Sequence, residues 1–213
     1  MNKDEIALAN KFINEEFSRI IDWAVGDVKR CCRMNENGTC ENGGALVGAF
    51  ILACCAIDYF GGLYTGYTTT GATKARFKFF IEKYMSRYDP VKIEDLRWSL
   101  VHYYSPHHFI LYHENTLEEN KDLHLRPTKN GINLHLGWFV KDLESAVNAY
   151  WEDLKKEDKL KIKAWKYWKE QLPIMPTKVE NIIENSNVTQ SLVAGTSIQQ
   201  ISASGTISGW YKK

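Results

Sequence analysis

Apolar residues recur at three- and four-residue steps over most of the chain, which is typical of helices with one buried side. This spacing predicts one long helix from Asp4 to about Arg30. It predicts further helices over Thr73 to Tyr88, Trp138 to about Leu154 and Asp158 to Leu172. The pattern indicates a mainly α-helical protein.

The stretch from Gly44 to Gly62 is apolar on every side. Its length would span a bilayer, but Asp58 lies within it, glycine and alanine dilute it, and basic flanks are absent. We therefore predict the central buried helix of a bundle, with small residues that let its neighbours approach closely, and no membrane span. A buried carboxylate is costly unless it meets a donor, and Arg97 is the candidate partner of Asp58.

The apolar period changes from helical to alternating after residue 108. Three strands are expected, over His108 to His113, Leu123 to Arg126 and Ile132 to Leu136, the last after a Lys-Asn-Gly turn. They predict a small antiparallel β-meander, at about residues 108–136, inserted in a helical domain of residues 1–175.

Three histidines fall on these strands. Alternation places His124 and His135 on the face opposite the leucines. Together with His113 they suggest a metal site, but the spacing matches no recognised zinc motif. A solvated or RNA-facing strand surface is favoured, and no metal or cofactor is expected.

Residues 176–213 form a tail rich in Ser, Thr and Gln, without a charged residue between Glu184 and Lys212. Low charge with β-branched and amide side chains is typical of segments that pair as strands between chains. The loose repeat of Ser-Ile-Gln-Gln-Ile-Ser and Gly-Thr-Ile-Ser-Gly resembles the C-terminal assembly motifs of bacterial defence proteins. A disordered tail is the alternative.

The 213 residues are 44% hydrophobic, enough for a sizeable core. The net charge is only +1, so any RNA contact must come from a local patch. The candidate patch is the basic, outward side of the helix predicted over residues 73–88, with Lys74, Arg76, Lys78 and Lys83. An ordinary solvated face is the alternative.

The five cysteines contain no C-x-x-C pair, and two doublets are adjacent in sequence. This usage fits free thiols in a reducing cytoplasm better than a disulfide framework. The N-terminal residues lack the pattern of an export signal. A cytoplasmic protein is therefore expected.

Candidate chemistry concentrates in the stretch Asp95–His108. Counted from Ile93, the helical spacing predicts a short helix with one apolar stripe, formed by Ile93, Leu96, Leu100, Tyr103 and Tyr104. Trp98, Ser99 and His102 lie off this stripe, and Ser105-Pro106 ends the helix just beyond them. The carbonyl end of the helix favours a protonated imidazole at His102, which suits acid–base chemistry near neutral pH.

The pattern Arg-x4-His, formed by Arg97 and His102, resembles the motif of the HEPN superfamily (higher eukaryote and prokaryote nucleotide-binding domains). The likeness extends over Gly43-Gly44, Ile57 to Gly61, Phe79 to Tyr84 and Leu96 to His102, roughly a third of the chain. It implies a HEPN-like helical bundle and a metal-independent ribonuclease, in which His102 moves protons and Arg97 holds the phosphate. One departure is Trp98, because HEPN nucleases usually carry a polar residue after the arginine.

Residues five apart on a helix are turned by about 140°, so one chain cannot direct both side chains at one phosphate. A homodimer is therefore expected, with an Arg and a His from each chain and with Asp58, Asp95 and Ser99 in supporting positions. RNA and an antitoxin or defence-system protein are the implied partners. The alternative is a non-catalytic dimerisation or sensor module that assembles through its tail, with Arg97 in an ion pair with Asp58 or Asp95.

Overall fold

The computed structural model describes residues 3–40, 44–114 and 116–171, apart from the side chain of Thr70. These residues belong to one compact unit, Met1–Pro173. The α-helices are α1 (Lys3–Glu15), α2 (Phe17–Cys31), α3 (Leu46–Thr65), α4 (Thr73–Tyr84), α5 (Pro90–Tyr103), α6 (Leu136–Lys156) and α7 (Asp158–Gln171). The mainly helical fold is confirmed, while the predicted assembly tail of residues 176–213 lies outside the described residues.

α3 is the central helix of the bundle, and it packs against α2, α4, α5, α6 and α7. Phe50, Ile57 and Phe60 on this helix are fully buried. The length and hydropathy of α3 also satisfy the criteria for a membrane span, but 56% of its most apolar 18-residue stretch is buried inside the bundle. The predicted buried helix is confirmed, and its packing is consistent with a soluble protein.

Glycines in the second half of α3 allow two neighbouring helices to come close. A Cβ atom on Gly61 would lie 2.6 Å from the carbonyl oxygen of Arg76 in α4. A Cβ atom on Gly62 would overlap the ring of Tyr167 in α7. The prediction that small residues permit close approach is therefore confirmed at these two positions.

The single helix predicted over residues 4–30 is two helices, α1 and α2, which meet at Glu16 (φ −111°). The backbone hydrogen bonds Glu16 N to Phe12 O and Ile20 N to Glu16 O continue through the junction. The two halves bury their apolar sides on different helices: α1 contacts α7, whereas α2 contacts α3 and α6.

The sheet has three strands, β1 (Phe109–Tyr112), β2 (Pro127–Thr128) and β3 (Gly131–His135), in the order β1-β3-β2. β2 and β3 form an antiparallel hairpin, but β1 pairs parallel to β3, so the predicted antiparallel meander is wrong for β1. Residues 123–126 form turns and an irregular segment rather than a strand.

Tertiary contacts of the segment before β2 explain this difference. The side chain of Asn120 is buried and donates to the carbonyl oxygens of Glu114 and Thr116. Trp138 Nε1 donates to the carbonyl oxygen of Leu117 at 2.7 Å. These bonds hold residues 117–120 in turns, so β1 and β2 are not joined by a tight hairpin.

The predicted solvated face of strand histidines is wrong as well, because His124 and His135 are 5% and 0% exposed. The hydroxyl of Tyr88 donates to Asp142 at 2.8 Å and accepts from Nε2 of His124 at 2.9 Å. Nδ1 of His124 accepts the backbone N–H of His135 at 3.2 Å. Both ring nitrogens of neutral His124 thus have partners in the core.

Candidate functional site

The helix that carries the Arg-x4-His pattern, α5, begins at a well-formed cap. Asp89 accepts the backbone N–H groups of Val91 at 3.0 Å and Lys92 at 3.3 Å, and Pro90 occupies the first helical position. These features satisfy free donors and preset the backbone at a helix start. α5 is therefore fixed at the end remote from His102.

The other end of α5 closes on a residue with left-handed backbone geometry, Tyr104 (φ 54°, ψ 35°). The backbone N–H groups of Tyr104 and Ser105 both donate to the carbonyl oxygen of Ser99, that of Ser105 at 3.3 Å. The predicted helix end before Ser105-Pro106 is confirmed. His102 lies in the last turn, as expected.

The predicted apolar stripe of α5 is only partly buried. Ile93, Leu96 and Leu100 are at most 1% exposed, but Tyr103 and Tyr104 are 67% and 73% exposed, so the stripe ends one turn earlier than predicted.

Ser99 is 2% exposed, although it was expected off the stripe with His102. Its hydroxyl donates to the carbonyl oxygen of Leu96 at 3.1 Å. The predicted supporting residue Ser99 therefore faces the core.

A cluster of large exposed side chains surrounds His102; we call Trp98, Val101, His102, Tyr103 and Tyr104 the α5 face. Each of its apolar members is at least 46% exposed. The ring of Trp98 lies 5.1 Å from that of His102 and 5.0 Å from that of Tyr103. Clustered exposed rings of this kind are typical of interaction surfaces.

Asp58, the carboxylate in α3, is held by two guanidinium groups rather than one. Arg76 Nε lies 2.7 Å from one Asp58 oxygen and Arg76 Nη2 lies 3.2 Å from the other. Arg97 Nη2 lies 3.9 Å from Asp58 Oδ2. The predicted pair of Asp58 with Arg97 therefore exists, but the close, bidentate partner is Arg76.

Arg76 was expected on the outward, basic side of α4, and this expectation is wrong. The residue is 8% exposed and also donates to the carbonyl oxygens of Tyr67 and Thr69 and to the hydroxyl of Thr73. The hydrogen bond with Asp58 raises the pKa of Arg76 despite its partial burial. Arg76 thus joins α4 to α3.

The other basic residues of α4, Lys74, Lys78 and Lys83, are exposed as predicted. Lys74 lies 3.8 Å from Glu94, and Lys78 lies 4.0 Å from Glu82. Because acidic side chains lie between the lysines, this side of α4 is less positive than its basic residues suggest.

Arg97 and His102 lie on different sides of α5. The side chain of Arg97 is 28% exposed, and its guanidinium lies 5.9 Å from the ring of Phe77 in α4. Burial raises the pKa of the Cys55 thiol in α3, and the nearby charge of Arg97 opposes that shift. Arg97 therefore lies against α3 and α4, whereas His102 belongs to the exposed α5 face.

A second group of polar side chains lies next to α5 and was not identified from sequence. His108 Nε2 lies 3.5 Å from Asp95 Oδ2, and the rings of His107 and His108 are 4.2 Å apart. The adjacent histidines after Pro106 were the available signal. Their approach to Asp95 depends on the backbone turn, which spacing along the chain does not specify.

The thiols of Cys32 and Cys40 form another polar pair. A hydrogen bond from Cys40 lowers the pKa of Cys32, and the same bond raises the pKa of Cys40. The two thiols and His113 line a cavity of about 10 Å³, the size of one water molecule. All five cysteines are free thiols.

The arrangement at α5 combines an exposed imidazole, a partly exposed guanidinium and a surface of aromatic rings. The HEPN resemblance rests on sequence alone, with Arg97 and His102 of α5 as the residues that match the functional motif, and the function it implies is a proposal. Comparison with protein-family models, with curated proteins and with solved structures gives no match to this chain.

Proposed function

We propose that this protein is a metal-independent endoribonuclease that acts as a cytoplasmic homodimer. A ribose 2′-oxygen attacks the adjacent phosphorus and the bond to the 5′-oxygen breaks, which leaves a cyclic phosphate. His102 takes the proton of the 2′-hydroxyl, and the imidazolium so formed passes that proton to the leaving 5′-oxygen. Arg97 of the facing subunit stabilises the additional negative charge of the transition state.

The observation that carries the proposal is the pairing of Asp58. Both of its carboxylate oxygens bond to Arg76, so Arg97 is left at 3.9 Å and makes no hydrogen bond within the described residues. Two guanidinium groups thus share one carboxylate, and the three side chains together have a net positive charge. A partly exposed guanidinium with free donors is suited to bind a phosphate.

The α5 face supplies features that RNA recognition requires. Trp98 and Tyr103 are exposed aromatic rings, and unpaired bases stack on such rings in many RNA-binding proteins. His102 contacts the ring of Trp98 and is open to solvent. A base stacked there would lie beside the imidazole that is proposed to transfer protons.

The same surface supports a dimer. Val101 is 53% exposed beside the exposed rings, so a second copy would cover an apolar area that is costly to leave in water. Two α5 helices related by a twofold axis bring Arg97 of one subunit towards His102 of the other, which one helix cannot do alone. The five free thiols support a reducing compartment such as the cytoplasm.

A direct test uses purified full-length protein with excess chelator and a set of structured and unstructured RNAs. We expect cleavage with cyclic phosphate ends, and a rate about 10²- to 10⁴-fold lower for His102→Ala, since that is the usual loss when a proton-transfer group is removed. Arg97→Ala should lose activity too. Arg19→Ala, at an arginine that is 75% exposed on α2, is the matched control and should cleave like wild type. Equal cleavage by wild type and His102→Ala would overturn the proposal.

The second candidate function is a non-catalytic dimerisation or sensor module that recruits an antitoxin or another defence protein. Trp98 favours it, because the indole occupies the position next to Arg97 and enlarges the apolar surface. A dimer that leaves every RNA intact with chelator, but that dissociates when the α5 face is altered, would support this function.

A further inference from the structure

Asp95, His107 and His108 form a compact group at the surface beside the end of α5. One nitrogen or oxygen atom of each side chain lies within 4.8 Å of the corresponding atoms of the other two. His108 Nε2 lies 3.5 Å from Asp95 Oδ2. Two imidazoles and one carboxylate thus converge on a single small volume.

The backbone conformation that creates this group is unusual. His107 has φ 53°, a left-handed geometry that residues other than glycine rarely adopt. In an extended chain, adjacent side chains point to opposite sides, but here the rings of His107 and His108 are 4.2 Å apart. The left-handed residue therefore turns two consecutive imidazoles to the same side.

Two anchors hold the turn in place. The N–H of Phe109 donates to the carbonyl oxygen of Pro106 at 3.0 Å, and the Phe109 ring is 5% exposed. Phe109 also begins β1, which pairs with β3. Because the chain is fixed on both sides of the histidine pair, the strained geometry at His107 belongs to the fold and not to a free loop end.

The three side chains match the ligand chemistry of a borderline metal ion. Zinc binds imidazole nitrogen and carboxylate oxygen at about 2.0 to 2.2 Å, so neighbouring ligands of a tetrahedral site lie about 3.3 Å apart. The 3.5 Å separation between His108 and Asp95 is close to that value. The third ligand atom, on His107, lies within 4.8 Å of the other two.

We propose that Asp95, His107 and His108 bind a divalent transition-metal ion of the zinc type. The ion links the turn after α5 to the helix itself, and three protein ligands leave a coordination position for water or another donor. None of the three ligands takes part in the proposed proton transfer or phosphate binding, although Asp95 lies two residues before Arg97, and metal binding is measured without RNA. Metal binding at this site therefore stands or falls independently of ribonuclease activity.

The test is a titration of metal-free, full-length protein with Zn²⁺ by calorimetry, together with thermal melts. Wild type should bind one ion per chain and melt at a higher temperature with zinc. His107→Gln, His108→Gln and Asp95→Asn should each weaken binding at least about tenfold, the lower end of what even supporting groups contribute to metal affinity. His102→Gln, an exposed histidine on the same helix that is not among these ligands, should bind zinc like wild type.

Cobalt serves as a spectroscopic probe, because thiols compete for the same metals. Cys32, Cys40 and His113 line a shared cavity and are the alternative ligands. The proposed site predicts weak visible Co²⁺ bands without an intense thiolate charge-transfer band, and Cys32→Ser should leave them unchanged. Three results would each overturn the proposal: no zinc binding at micromolar concentration, wild-type zinc affinity in the three ligand variants, or a thiolate band that is lost in Cys32→Ser.

Discussion

Asp58 and Arg76 show how one buried ion pair joins two helices. Their side chains are 18% and 10% exposed, and two hydrogen bonds connect them. Removal of one charge from such a pair leaves the other without compensation in a place that water hardly reaches. The pair therefore stabilises the contact of α3 with α4 and also determines how much of the carboxylate is available to Arg97.

We expect Asp58→Asn to lower the free energy of unfolding by about 3 kcal/mol, because Arg76 would remain charged and buried without its counter-ion. Urea unfolding at neutral pH measures the change. Glu82→Gln is the matched control: Glu82 lies 4.0 Å from Lys78 and both side chains are at least half exposed, so the loss should stay within about 1 kcal/mol. Equal losses in the two variants would contradict the assigned role of Asp58.

His124 predicts an acid-sensitive core. Burial lowers its pKa from 6.5 to about 3, and the charges of Arg87 and His135 act in the same direction. A second proton at Nδ1 would also displace the backbone N–H of His135, which that nitrogen accepts.

Above pH 6.5 this histidine is neutral in both the folded and the unfolded chain, so its contribution to stability is complete. Below 6.5 only the unfolded chain gains the proton, so the free energy of unfolding should fall by up to about 1.4 kcal/mol per pH unit until the folded pKa is reached. Urea unfolding between pH 7.5 and 5 measures the slope, and His124→Gln should reduce it. An NMR titration of His124 with a pKa near 6.5 would contradict this account.

At the scale of the element, α5 owes its length to its two caps. The left-handed cap residue Tyr104 has a 73% exposed ring, so its replacement removes little packing. Tyr104→Gly should make the protein about 1 kcal/mol more stable than Tyr104→Ala, because only glycine adopts this backbone geometry without strain. Inside a helix the alanine variant would be the more stable of the two. The cap is therefore tested by which of the two variants melts at the higher temperature.

The elements differ in how far the sequence predicts them. The bounds of α7 follow from the spacing of its apolar residues, and the burial of α3 follows from a stretch that is apolar on every side; both are properties of single helices. The division of residues 4–30 into α1 and α2 and the parallel pairing of β1 with β3 depend on partners far along the chain. The spacing of apolar residues along one segment contains no information on such distant partners.

The same distinction applies to the candidate site. Helical geometry turns Arg97 and His102 about 140° apart, and Arg97 lies against α3 and α4 whereas His102 is exposed. The sequence placed Arg76 on the outward side of α4. In the structure α4 lies close to Gly61 of α3, and the Arg76 side chain turns inward to Asp58. The group of Asp95, His107 and His108 depends on one left-handed residue, which the spacing of residue types does not reveal.

At the scale of the whole molecule, the α5 face predicts a dimer. Val101→Glu should convert the dimer to a monomer, because two carboxylates would meet near the twofold axis and the apolar contact would be lost. Light scattering at several concentrations measures the mass. Leu8→Glu is the control, since Leu8 is 48% exposed on α1, away from α5, and this variant should remain a dimer. A monomeric wild type would contradict the proposed assembly.

The most direct test of the two-chain site is complementation between inactive subunits. Arg97→Ala and His102→Ala chains with different affinity tags are expressed together, and mixed dimers are isolated through both tags. A mixed dimer retains one Arg97 and one His102, and these lie on different chains. If the site joins the two chains, the mixed dimer should cleave RNA at about half the wild-type rate, since one of two equivalent sites is intact. Mixed dimers as inactive as either parent would contradict the account.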